Sequence, residues 1–326
     1  MNVFMTHISA LAFWRAAAAA GQLVGSYPPA RSFENCSTFK SDYIDAAYFN
    51  YGSGPLHVSL PHGARLPRGE EFACHAIRRT PAVGSFRKLR QGLFVSTPER
   101  CYIELARTLD LNELVLLGFE LCGFYVFVPH GNDDYTEIAE PLTSVGKLKH
   151  EVSLYPGVPG VATALKALSW VLDFSRSPME TISEQRLVRQ VHAGGYKVKT
   201  PQPNAPFRLG TAAAKMAGRE SFTCDLLWPE ERVALEYDSK EHHSDPEQAA
   251  YDAERASIIE FDGGSLISVT PRIEQSVERF DAMARRLFKL LGMRYRKPTA
   301  GQMSKKLELR RKLYQAERRI KSLTNV

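Results

Sequence analysis

The chain reads as an α/β protein: a mixed sheet flanked by helices in its C-terminal part, a separate α/β region before it, and a basic helix after it. Three observations predict this. Between residues 160 and 295, helix and strand signals follow in the order α-β-β-α-β-α, which contains one antiparallel hairpin and one crossover. The stretch from Lys147 to Gly160 crowds Pro156, Gly157, Pro159 and Gly160 together, and it sets that part off from residues 1–155. From Arg296 onward, ten basic residues face only Glu308 and Glu317, so residues 296–326 carry +8 and the rest of the chain −2.

Composition narrows the class. A length of 326 residues suits two domains of about 150, and 44% hydrophobic with 24% charged residues excludes disordered, collagenous and disulfide-stapled chains. The five cysteines, Cys36, Cys74, Cys101, Cys122 and Cys224, are odd in number and widely spaced. None forms the C-x-x-C pair of a structural zinc site or redox motif, which implies a reduced compartment. The segment Met1 to Gly21 lacks a basic start and is interrupted by Arg15, so it is expected to be an N-terminal helix rather than a targeting signal. The richest apolar stretch, Leu111 to Pro129, is broken by Glu113, Glu120 and Gly123, short of the ~18 residues of a membrane span. A cytoplasmic protein without a membrane partner is expected.

Each element has its own signal. Leu56 to Leu60 alternates as a strand does, and Pro61, Gly63 and Pro67 mark the loop after it. Thr97-Pro98-Glu99 starts a helix with Pro at its first position, and Asn112 to Cys122 forms a second. Val161 to Phe174 is helical. Ser177-Pro178-Met179-Glu180 then places Ser at a cap, Pro at the first position and Glu at the third, opening a helix that should reach Ala193 before Gly194-Gly195. Phe222 to Trp228 and Val233 to Ser239 are strands joined at Pro229 to Arg232. Asp245-Pro246 opens a helix that Gly263-Gly264 closes, Leu266 to Val269 is a buried strand, and Ile273 to Leu291 is an amphipathic helix stopped by Gly292.

The hairpin concentrates acids. With its turn centred on Pro229 to Arg232, Asp225 falls opposite Glu236, and alternation puts Glu236, Asp238 and Lys240 on the same face. Leu226, Val233 and Leu235 then point to the other face, toward a core. Like charges facing across strands destabilise unless compensated. A divalent cation such as Mg²⁺ or Mn²⁺ is one compensator; Lys240 on a solvated face is another. His242 and His243, just beyond, have the chemistry to ligate metal, shuttle protons or contact phosphate. Asp252 and Arg255 share a helical face and either pair or leave Arg255 for phosphate. The Ser177-x-x-Glu180 spacing is in itself a capping box.

Taken in order, Ser177-Pro178-Met179-Glu180-Thr181, Cys224-Asp225-Leu226-Leu227-Trp228-Pro229, Val233-Ala234-Leu235-Glu236-Tyr237-Asp238, His242-His243, Asp252 to Arg255 and Ile267 to Thr270 resemble the very-short-patch-repair-like endonuclease group, which includes domain-of-unknown-function family 559. The resemblance covers roughly residues 160 to 293. It implies the restriction-endonuclease-like fold of the PD-(D/E)xK superfamily and metal-dependent hydrolysis of DNA, in defence or repair. It also implies Asp225 and Glu236 as metal ligands, Asp238 completing a Glu-x-Asp element, Glu180 reaching in from the preceding helix, and Lys240 stabilising charge or orienting water. Cys224 stands where the pattern has proline, Ser239 where it has glycine, and Asp238 where the superfamily has lysine. Degenerate members of such a family serve as DNA-binding or regulatory modules, so a non-catalytic DNA-binding regulator is the alternative, and an interaction protein of a toxin-antitoxin system is a third. In the first half, Pro55 to Pro61 and Ser96 to Arg100, followed by Ile103-Glu104-Leu105-Ala106, resemble the region preceding this domain in abortive-infection antitoxin-like proteins.

The basic tail is amphipathic. Leu309, Leu313, Ala316, Ile320 and Leu323 recur at helical spacing, while Arg310, Arg311 and Lys312 with Arg318, Arg319 and Lys321 take the remaining surface. Its charge suits DNA, and its apolar stripe suits docking on the body, on a protein partner or on a second copy.

Overall fold

A computed structural model describes residues 2–30, 33, 54–64, 70–128, 134–238 and 246–324. Among them the chain is mixed α/β, with eleven α-helices and three sheets whose strands run both ways. It divides into an N-terminal unit, Met1–Asp173 with Gln315–Val326, and a C-terminal unit, Phe174–Tyr314.

The N-terminal unit holds β1 (Val3–Met5), α1 (His7–Ala19), β2 (Leu56–Pro61), β3 (Phe72–Ile77), β4 (Phe86–Arg90), β5 (Leu93–Ser96), α2 (Pro98–Leu105), α3 (Leu111–Cys122), β6 (Tyr125–Phe127), β7 (Tyr135–Glu137), α4 (Val145–Ser153) and α5 (Val161–Leu168). Its five-stranded sheet has the order β3-β2-β1-β5-β4, and β6 pairs with β7 separately. The single helix expected at the N-terminus is corrected here: Val3, Phe4 and Met5 form the sheet's central strand, all three buried. Three residues are too few to display a period of two beside an alanine-rich helix. The turn between them puts His7 at φ 53°, a region that non-glycine residues seldom occupy. At the other helix starts the signals hold. Thr97 caps α2 by accepting from the Arg100 N–H, and Asp110 and Glu113 close a full capping box on α3. Of the stretch from Lys147 to Gly160, expected to be loop-rich, the first half belongs to α4. A Cβ on Gly160 would lie 2.4 Å from the Ala106 carbonyl oxygen, so that glycine marks a close approach of two backbone segments.

The C-terminal unit holds α6 (Pro178–Val188), β8 (Gln202–Arg208), α7 (Thr211–Ala217), β9 (Ser221–Trp228), β10 (Val233–Tyr237), α8 (Pro246–Phe261), β11 (Ser265–Val269), α9 (Pro271–Gln275), α10 (Val277–Leu290) and the first part of α11 (Ala300–Ser322). The sheet order is β11-β10-β9-β8, with β10 and β11 parallel and the other pairs antiparallel. One core joins Leu226, Val233, Leu235 and Ile267 to Leu187 of α6 and to Phe280, Ala284 and Leu287 of α10. A second core on the other face joins Phe222, Leu227 and Ala234 to Ile258 and Ile259 of α8. The sheet is therefore flanked by helices on both faces, the coarse architecture the element order predicts.

Several boundaries differ from expectation. Strand β8 was hidden by Pro203 and Pro206, which a strand tolerates at a sheet edge, and β8 is the edge. The helix expected to reach Ala193 stops at Val188, because the N–H groups of Tyr196, Val198 and Lys197 turn back to the carbonyls of Arg186, Leu187 and Arg189. The helix expected over Ile273 to Leu291 is two, parted at Ser276, whose side chain caps α10.

The tail is not an appendage. Leu309, Leu313, Ala316, Ile320 and Leu323 are all at most 4% exposed. The stripe is covered by the chain itself, which leaves no apolar face there for a second copy to dock on. None of the helices among the described residues is long and apolar enough to cross a membrane.

Candidate active site

The β9–β10 hairpin has the register that its turn dictates: Val233 faces Trp228, Ala234 faces Leu227 and Leu235 faces Leu226. The ladder stops one rung before Asp225 and Glu236. Beyond it β10 stays paired with β11, Glu236 opposite Ser268 and Tyr237 opposite Val269. The Tyr237 N–H donates instead to Asp225 Oδ2 at 2.8 Å. The expected pair is thus brought to neighbouring positions, at the point where the two strands part.

The same rung is missing on the other side of β9. Pro203 pairs with Leu226 and Ala205 with Cys224, whereas Asn204 and Asp225 do not pair as strand partners. Asn204 takes φ 47°, a left-handed conformation that asparagine accepts more readily than most residues. Its Nδ2 donates to Glu180 Oε2 at 3.0 Å and to the Phe174 carbonyl at 2.8 Å. Sequence reasoning missed Asn204; an asparagine between two strand prolines was the available signal.

Glu180 is held at the start of α6. Ser177 Oγ accepts from its N–H, and its own Oε2 accepts from the Arg176 N–H at 2.9 Å, one residue earlier than in a strict capping box. Burial, then the charge of Asp225, push its pKa up to about 7. The Glu236 carboxyl is also pushed up to about 7 by burial, against Arg255 and with Asp225 adding to the rise. The charge of Asp225 therefore acts on both glutamates.

On α8, Arg255 directs its hydrogen bonds to Glu236 and the neighbouring strand. Its Nη1 donates to Glu236 Oε2 at 2.9 Å, its Nη2 to Oε1 of the same carboxylate, and Nη2 also reaches the Thr223 carbonyl. Asp238 is exposed, with its N–H on the Val269 carbonyl. Lys240, His242 and His243 lie outside the described residues. On α11, Arg311 and Lys312 are exposed, with Lys312 paired to Glu308 at 2.7 Å. Arg310 is half-buried, and its Nε donates to the Glu274 carbonyl at 3.1 Å.

The N-terminal unit carries a second polar cluster, which sequence reasoning did not find. His7, His57 and His75 each place a ring nitrogen within 4.8 Å of the others'. His75 Nε2 and His57 Nδ1 are 3.0 Å apart, and the His7 and His75 rings stack at 3.5 Å. His7 and His75 border a cavity of about 700 Å³ between β3, α2 and the Tyr155–Pro159 turn. Comparison with family models, curated proteins and solved structures returned no match.

Proposed function

We propose that the C-terminal unit is a restriction-endonuclease-like domain that hydrolyses DNA phosphodiester bonds with Mg²⁺ or Mn²⁺. One observation carries the reading: the sheet opens at Asp225 and Glu236, and Glu180 lies near enough to feel the charge of Asp225. The donor set is wholly oxygen, and it fits a small hard dication that takes one or two carboxylates. Asp225 and Glu236 would hold that ion, which when bound lowers the pKa of the attacking water and offsets charge on the phosphate. The chain's own contribution is placement. The Tyr237 N–H aims Asp225, Arg255 aims Glu236 and Asn204 aims Glu180. Asp238 extends the acidic element, and Lys240 is assigned to the water or the developing charge.

A second reading has its own observation. The two-pronged grip of Arg255 already neutralises Glu236, as a non-catalytic DNA-binding module or a toxin-antitoxin component retaining this fold would do. Incubating purified protein with plasmid, oligonucleotide and RNA substrates separates the two. The nuclease reading expects cleavage of DNA in Mg²⁺ or Mn²⁺ and none in EDTA. Binding of DNA without cleavage under every metal condition transfers the assignment to the second.

Positive charge on α11 gives a further expectation. Arg311, Lys312, Arg318 and Arg319 are exposed, whereas the stripe beneath them is buried, so substitution tests them and deletion of residues 300–326 would not. Removing one cation that neutralises a phosphate should reduce the slope of log affinity against log salt by about 0.9. Replacing all four with alanine should therefore flatten it by up to about 3.6. Fluorescent-duplex titrations at several salt concentrations read this, and an unchanged slope removes α11 from the DNA interface.

A further inference from the structure

We propose that the cavity of the N-terminal unit binds a phosphate-bearing ligand of about nucleotide size, independently of the nuclease reading. Its volume of about 700 Å³ exceeds what inorganic phosphate needs and falls within the usual 300–1,000 Å³ of small-molecule sites. Four guanidinium groups line it, those of Arg78, Arg79, Arg100 and Arg107, against the single carboxylate of Glu104. That carboxylate is engaged: it accepts from Arg100 Nε, Ser96 Oγ and the His7 N–H, each at 3.0 Å. Arg78, Arg79 and Arg107 form no ion pair with another described residue, so the cavity wall has an excess of about three positive charges.

The histidines decide the sign of the occupant. Their nitrogens cluster as metal ligands do, but His7 and His75 lie face to face, 15° from parallel, instead of radiating from a common point. A dication would enter among four arginines, and an anion enters with them. Burial first, with neighbouring positive charge, holds the pKa of His7 and of His75 down to about 3, so both rings are uncharged near neutral pH and the positive charge of the wall is that of its arginines. The donors are also set in advance. Arg79 and Arg100 lie over the Tyr155 ring, whose hydroxyl accepts from the Ala82 N–H at 2.9 Å. His7 reaches the cavity wall through the strained φ 53° turn, the kind of outlier that persists where the surroundings enforce it. Charged, forked donors, two of them positioned over Tyr155, suit phosphate oxygens, which arginine binds in bidentate fashion.

The test is calorimetry on the untagged full chain with inorganic pyrophosphate, ADP, adenosine, Zn²⁺, and oligothymidylate bearing a 5′-phosphate or a 5′-hydroxyl. Pyrophosphate and ADP should bind and adenosine should not. The double variant Arg79→Ala/Arg107→Ala alters two exposed side chains and should weaken binding about tenfold or more. Removing the same charge by Lys147→Ala/Lys149→Ala on α4 should not. Tighter binding of the 5′-phosphorylated oligonucleotide than of ADP assigns the phosphate to a nucleic-acid end, and the reverse assigns it to a free nucleotide; both uphold the site. No binding of pyrophosphate or ADP, equal weakening by the two lysine substitutions, or retention of Zn²⁺ in place of phosphate would overturn it.

Discussion

Glu236→Gln should reduce metal-dependent DNA cleavage by more than about 100-fold while the protein stays folded. Substituting residues that only orient a metal ligand typically costs about 10–100-fold, so loss of a direct ligand should exceed that range, and Arg255→Ala should fall within it. Folding should survive, because glutamine keeps the shape and removes a charge the fold does not favour. Glu236 and Glu180 both sit near 7, above the ordinary 4.5 of an exposed glutamate, so the folded state binds protons more readily than the unfolded state between these values. The part of the metal-free stability that these two groups supply should therefore be fully present below about 4.5 and be lost as pH rises through 7, and the share of Glu236 is read as the difference between wild type and Glu236→Gln, in which the other titrating groups cancel. A divalent ion at one hundred times its dissociation constant should restore about 2.7 kcal/mol at pH 8, and Glu236→Gln should not show that gain. Thermal melts with Mn²⁺ and with EDTA at pH 6 and pH 8 measure both effects. Wild-type cleavage by the glutamine variant would remove Glu236 from the site.

What the sequence made legible follows from the range of each signal. Helix starts were readable because a cap is a local pattern: Thr97-Pro98 and Ser177-x-x-Glu180 each stand at the start of a helix, and Pro246 is the first residue of α8. The hairpin register was readable because one turn fixes every pair that follows it. Long-range contacts were not. Nothing near Glu236 announces that Arg255, nineteen residues on, will hold it. The histidine cavity needs β1, β2 and β3 side by side, and two of these strands gave no usable periodicity. The tail was legible as an amphipathic helix, but its covering surface lies elsewhere in the chain.

Arg15 shows the same limit at its largest energetic consequence. In the sequence it is a charge interrupting an apolar helix; in the fold it is 2% exposed, and its Nε and Nη2 each donate to Glu120 at 2.7 Å. Nη1 continues to Thr324 Oγ1 at 2.8 Å and Nη2 to the Ile320 carbonyl at 3.0 Å, while Glu120 Oε1 also takes the Phe127 N–H. One ion pair thus ties α1, α3, β6 and the end of α11 into the N-terminal unit. Glu120→Ala leaves the guanidinium buried without a counter-charge and should cost about 3–5 kcal/mol. Bulk water does not reach the position to take the carboxylate's place, since Glu120 is 0% exposed. Replacing both members, Arg15→Met with Glu120→Leu, removes the charge along with its partner and should recover most of that loss, because the pair's attraction is largely offset by its desolvation. Urea denaturation followed through Trp14, which is buried on α1 with its indole N–H on the Ser96 carbonyl, reports on this unit. If Glu120→Ala costs less than about 1 kcal/mol, as exposed pairs do, the pair is not the tie described. If the double replacement is as damaging as the single one, packing rather than charge is what the site supplies.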